Sequence, residues 1–147
     1  MDCKNTIHFI GNGGSAGTPS HSAGDWSKEL SVATICHTDN ASGMTAWAND
    51  TSYEDIFANQ LNVYLKPGDL VLAYSGSGNS ENVIQAIKFA KQNEGITLAL
   101  TGYSGGKLKA LADHNIHVNI DDMQIVEDIH MMLDHLMMRV LNKRLPK

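Results

Sequence analysis

Gly11-Asn12-Gly13-Gly14-Ser15-Ala16 follows the apolar run Ile7-His8-Phe9-Ile10, and Ser75-Gly76-Ser77-Gly78-Asn79-Ser80 follows Leu70-Val71-Leu72-Ala73-Tyr74. Each glycine turn opens onto a helix-like stretch. Such a turn leaves backbone N–H groups unpaired at a helix N-terminus, where the helix dipole favours an anion. Ser75, Ser77 and Ser80 add hydroxyl donors to the second turn. The two segments therefore predict strand–turn–helix units that hold an anion without a basic side chain.

Outward from these turns the same alternation continues. Short apolar runs at Ile7–Ile10, Val32–Cys36, Leu70–Ala73, Thr97–Leu100 and Ile116–Val118 read as strands covered on both faces. Helix-like windows lie at about 19–30, 52–65, 80–93, 106–113 and 123–143. Val83, Ile84, Ile87 and Ala90 stand at helical spacing behind Ser80, a suitable N-cap. Strands alternating with helices over short connections predict an α/β, three-layer α-β-α sandwich with a five-stranded parallel sheet. Ligands in such sheets bind at the carboxyl ends of the strands. Both glycine turns fall there, as do Thr38-Asp39 and Thr101-Gly102.

Composition bounds the function. A chain of 147 residues reads as one domain, 1–147, with ordinary hydrophobic (42%) and charged (18%) fractions. A net charge of −5 with no Lys/Arg run argues against nucleic acid as a partner. Cys3 and Cys36 have neither metal-like nor redox-like spacing. With no signal-peptide pattern and no membrane-length apolar run, a soluble cytoplasmic protein is expected.

Two constellations carry chemistry, each with competing readings. Gly11-x-Gly13-x-x-Ala16, with Asp39 at the end of the second strand, matches the loose dinucleotide-binding fingerprint. That reading leaves the Ser75–Ser80 turn unexplained and meets Pro19 inside the first helix window. The second constellation is acidic and imidazole: His21 and Asp25 are four apart, and Glu127, His130, Asp134 and His135 crowd the last window. Glu127 and His135 lie about 80° apart around a helix and can face one cleft. Two imidazoles and two carboxylates suit Zn²⁺ or another divalent ion. They also suit general acid–base work without a metal. A solvated helix face with pairs such as His130 and Asp134 is the competing reading. Glu127-x-x-His130 lacks the companion motif a di-iron site needs. His8, His37, His114 and His117 read as structural, and Met131, Met132, Met137 and Met138 as packing residues of a buried helix that meets another subunit.

Taken together, Gly11–Ala16, His21, Ala46-x-Ala48-Asn49-Asp50, Ser75-x-Ser77-Gly78-Asn79-Ser80 and Leu100-Thr101-Gly102-x-x-Gly105-Gly106-Lys107-Leu108 resemble the sugar isomerase (SIS) domain, and within it the phosphoheptose isomerases. The resemblance covers about residues 6–142. It implies a flavodoxin-like fold, a sugar-phosphate substrate, Zn²⁺ as the metal, and a homo-oligomer, tetramer or dimer, whose sites draw on neighbouring subunits. It also implies that Ser75, Ser77 and Ser80 hold phosphate, with Gly76 where relatives usually carry Thr. Asn12, Gly13, Ser15 and Asp39 match substrate-contacting positions. His21 and His135 match metal ligands, and His135 also an acid/base. Asp25 stands where Glu serves as the other acid/base and metal ligand, and Glu127 stands where Gln is usual, at a metal and substrate position. The family's helix before the first strand has no counterpart here. The implied activity is aldose–ketose isomerisation through an enediol, with a non-catalytic sugar-phosphate sensor or assembly module as the alternative.

Overall fold

Near-continuous burial along the first strand places the sheet between two helical layers. The computed structural model describes residues 5–144, so Cys3 lies outside the described residues. The elements are β1 (Thr6–Gly11), α1 (Gly14–Leu30), β2 (Ala33–Cys36), α2 (Ala41–Asp50), a short 3-10 turn (Tyr53–Asp55), α3 (Ile56–Tyr64), β3 (Leu70–Ser75), α4 (Glu81–Gln92), β4 (Ile96–Thr101), α5 (Leu108–Leu111), β5 (His114–His117) and α6 (Met123–Arg144). Ile7 and Phe9 pack with Trp26, Leu72, Tyr74 and the α6 residues Leu133, Met137 and Leu141. Ile10, Val71 and Ala73 face the other way, onto α3 and α4, where Ile56, Phe57, Leu61, Ile84 and Ile87 bury their side chains. Period-two alternation in the strands thus assigns α1 and α6 to one layer and α2–α5 to the other.

The strand order is β2-β1-β3-β4-β5, and every pairing is parallel. This is the doubly wound order in which the chain reverses direction between β1 and β3, opening a crevice at their carboxyl ends. Gly11 pairs with Tyr74 in that register, so the two glycine turns leave the sheet side by side.

Several expected boundaries move. Helix α1 begins at Gly14, five residues before Pro19, which lies inside it. Pro19 has no N–H for the Ser15 carbonyl, and a side chain at Gly11 would overlap that carbonyl. Helix α2 falls in a stretch outside the expected helix windows; Asn40 caps it, its side chain accepting from the Gly43 N–H at 2.9 Å. The last strand starts two residues early. Asp113 takes the Thr97 N–H (3.0 Å) and hydroxyl (2.7 Å), which ends the α5 turn and lays the chain beside β4. Cys36 is a free, buried thiol, and burial pushes its pKa up.

Candidate active site

At the β1/β3 crevice lies a cavity of about 240 Å³ lined by Asn12, Gly13, Gly14, Ser15, Tyr74, Ser75, Gly76, Ser77, Ser80, Met123 and Glu127. All the expected substrate-binding residues line it except Asp39, which is exposed in the turn after β2. Tyr74 and Met123 are liners that the sequence pattern did not reveal. Tyr74 ends the apolar run of β3 and Met123 opens α6, and only the fold brings both to the crevice.

The serine turn is held rigid by its own backbone. The Gly78 N–H donates to Ser75 Oγ (3.2 Å), and the Asn79 N–H to Ser77 Oγ (3.2 Å). With acceptor capacity used this way, both hydroxyl protons are left for a ligand. Ser80 precedes α4 as expected, yet its side chain makes no cap bond; that hydroxyl too is free in the cavity. The Gly102 N–H to the Gly76 carbonyl (2.8 Å) and the Leu108 N–H to the Gly78 carbonyl (3.1 Å) staple the turn to the β4–α5 connection. Gly78 has φ +65°, and a Cβ there would run into the Gly105 carbonyl. Across the cavity Asn12 and Asn82 exchange amide bonds (2.7 and 3.0 Å), and the Tyr53 hydroxyl donates to Asn12 Oδ1 at 3.1 Å. One Asn12 N–H remains available to a sugar oxygen.

A second cluster lies along α1 and α6. His21 Nε2 stands 2.9 Å from His135 Nε2 and 3.2 Å from Asp25 Oδ2, and His135 Nε2 stands 3.8 Å from the same oxygen. All three side chains are one-third to one-half exposed. Ligand atoms around a tetrahedral Zn²⁺ at bonds of about 2.0–2.1 Å sit about 3.4 Å apart, and the three separations bracket that value. The donor set of two imidazole nitrogens and one carboxylate oxygen fits a divalent ion.

Glu127 does not join this cluster. Its carboxylate stands against Gly14, at the start of α1, where any side chain would displace it. Eight residues along α6 place it about 12 Å along the helix axis from His135, and it is not among the residues whose ligand atoms gather there. The solvated-face reading of α6 also gives way. His130 and Asp134 are buried at 1% and 0% exposure, while Ile125, Met132, Leu136 and Val140 are open at 47, 68, 56 and 40%. Met137 and Met138 pack inward as expected, but within one chain Met132 does not. Burial pushes the His130 imidazole down and the Asp134 carboxyl up.

Residues 44–140 match the model of the SIS domain. The chain belongs to that family. The chain is 40% identical over 145 residues to the "Probable phosphoheptose isomerase" of Thermoplasma acidophilum, covering 95% of this chain and 80% of that protein. It is 34% identical to phosphoheptose isomerase 2 of Campylobacter jejuni, covering 96% and 73%. Among solved structures it is similar to phosphoheptose isomerase from Neisseria gonorrhoeae, with a TM-score of 0.91 and 32% identity over 95% of this chain and 77% of that one. The SIS fold expected from the glycine turns is therefore the fold observed. Among the described residues, no helix is long and apolar enough to cross a membrane.

Proposed function

We propose that this SIS-domain protein is a phosphosugar isomerase that interconverts sedoheptulose 7-phosphate and D-glycero-D-manno-heptose 7-phosphate through an enediol. The His21–Asp25–His135 cluster carries the reading, because a sensor has no need of two imidazoles and a carboxylate within 3.8 Å. A ketose becomes an aldose when C1 loses a proton and C2 gains one, while the C2 carbonyl oxygen takes a proton and the O1 hydroxyl gives one up. Asp25 is assigned the carbon-bound proton, taken from C1 and returned to C2. His135 is assigned the transfer between the two oxygens, and His21 orients both through its contacts with them. Zn²⁺ or another divalent ion, held by His21, Asp25 and His135, would supply positive charge to the oxygens of the enediolate.

Ser75, Ser77 and Ser80 are assigned to the phosphate, with Gly76 leaving their backbone approachable. Asn12, Gly13, Ser15 and Glu127 are assigned to the sugar hydroxyls. The α6 stripe of Ile125, Met132, Leu136 and Val140 supports a homo-oligomer, dimer or tetramer, since an apolar stripe of this kind marks an association face. A charged substrate that does not cross a bilayer unaided is consistent with a cytoplasmic location. The test is Asp25→Asn, which keeps the shape and removes the base. Turnover of sedoheptulose 7-phosphate is expected to fall by about 10²–10⁴, with substrate binding still measurable by calorimetry. Full activity in this variant would overturn the assignment.

A further inference from the structure

Beneath the exposed cluster lies a buried polar knot that the proposed chemistry does not use. The Tyr74 hydroxyl donates to Asp134 Oδ1 at 2.7 Å, and Ser22 Oγ lies 3.4 Å from the same hydroxyl while donating to the Thr18 carbonyl at 2.7 Å. Trp26 closes the group at 2% exposure, and Tyr74, Ser22 and Asp134 are wholly buried. Each member is the chain neighbour of a candidate functional residue. Ser22 follows His21, Trp26 follows Asp25, Asp134 precedes His135, and Tyr74 precedes Ser75. The knot therefore ties together β3, which launches the phosphate turn, and the two helices that carry the acid–base cluster.

Packing alone does not call for it. A buried carboxylate costs several kcal/mol of desolvation, and an apolar pair of similar volume often serves stability as well or better. Asp134 Oδ2 and Trp26 Nε1 have no hydrogen-bond partner among the described residues, so the knot is incompletely satisfied as a stabilising network. What a directional hydrogen bond adds over apolar contact is geometry. It fixes the rotation of α6 against β3, which apolar side chains of similar volume leave free to slide.

Resting on the isomerase reading above, we propose that Tyr74 and Asp134 are positioning residues, whose hydrogen bond sets the His21–Asp25–His135 cluster relative to the Ser75–Ser80 turn. Misplacing a reacting group by about 1 Å costs about a hundredfold in rate, so a small helix rotation would appear in kcat.

The experiment compares Tyr74→Phe, Asp134→Asn, and the double variant Tyr74→Phe/Asp134→Leu. Thermal unfolding and steady-state turnover of sedoheptulose 7-phosphate are measured for each. Asp134→Asn keeps a hydrogen-bonding group of the same shape against the hydroxyl and is expected to hold kcat within about threefold of wild type. Tyr74→Phe strands the buried carboxyl and is expected to lower both Tm and kcat. The double variant replaces both partners with apolar groups, so its Tm is expected to recover while kcat stays about ten- to a hundredfold down and KM changes little. A double variant that recovers kcat along with Tm would overturn the proposal and leave the knot a packing feature. A wild-type chain with no turnover would refute the isomerase reading and this inference together, which separates the two failures.

Discussion

Acid should unfold this protein through a pair of histidines outside the cavity lining. His8 and His37 are buried at 0% and 1% exposure. His8 Nε2 lies 3.2 Å from Asp69 Oδ2, and its Nδ1 lies 3.0 Å from His37 Nε2. Asp69 is a pure acceptor, taking the Thr6 and Lys66 backbone N–H groups at 2.8 Å each. His8 therefore donates from Nε2 to Asp69, while His37 Nδ1 faces the Gln60 Oε1 acceptor at 3.3 Å, so the direction of the His8–His37 contact is set by their tautomers. Burial, reinforced by the neighbouring His8, pushes the His37 pKa from 6.5 down to about 4, against a weaker upward pull from Gln60. Burial lowers His8 as well, against the opposing pull of Asp69. Burial would raise the Asp69 carboxyl, but its backbone N–H donors hold it below the usual value.

The unfolded chain thus binds a proton at His37 near pH 6.5, and the folded chain binds it only near pH 4. Stability present above the first value is lost as pH falls toward the second. The full separation is worth about 3 kcal/mol for His37, of which about 2 kcal/mol falls between about pH 6.5 and about pH 4.5. His8 adds loss of the same sign, and Asp69 adds its own only below the ordinary carboxylate range. Urea unfolding followed by circular dichroism, at fixed protein concentration across this window, measures the effect. His37→Gln removes one titrating group and keeps a polar side chain of similar reach, so its curve should be flatter than wild type by about 2 kcal/mol. His130 and Asp134 titrate in both proteins and cancel in the comparison. Parallel curves would refute the assignment of acid lability to His37.

Removing two of the three serine hydroxyls, Ser77→Ala with Ser80→Ala, should cost about 1.5–3 kcal/mol per hydroxyl in sugar-phosphate affinity by calorimetry; unchanged affinity would take the phosphate out of this turn. Gly78→Ala forces a Cβ into a left-handed position and against the Gly105 carbonyl. Thermal unfolding should show a loss of at least about 1–3 kcal/mol, with phosphate affinity falling as the turn distorts. Leu136→Glu, on the open stripe of α6, should lower the mass measured by light scattering if that face joins copies of the chain. An unchanged oligomer would move the interface elsewhere.

The alternation of apolar runs with helical windows, and the glycine turns between them, were legible because each depends on residues adjacent in the chain. Serines that punctuate a turn, and a strand patterned for burial on both faces, carry their signal in a few consecutive positions. The pattern failed at α2, which lay outside the helix windows although Asn40 caps it. It also gave Ser80 a capping bond that the folded helix does not make. The His21–Asp25 spacing was visible on one helix, but only tertiary packing brings His135 within 2.9 Å of His21, 114 residues away. The same packing sets the Glu127 carboxylate against Gly14, 113 residues away. The pairing of Tyr74 with Asp134, and of His8 with His37 and Asp69, joins residues 60, 29 and 61 positions apart. Sequence by itself determined which backbone could bind an anion, because that chemistry is written in neighbouring residues. Tertiary structure decided which side chains share a site, because the strand order and the rotation of each helix on the sheet are set by contacts between distant parts of the chain.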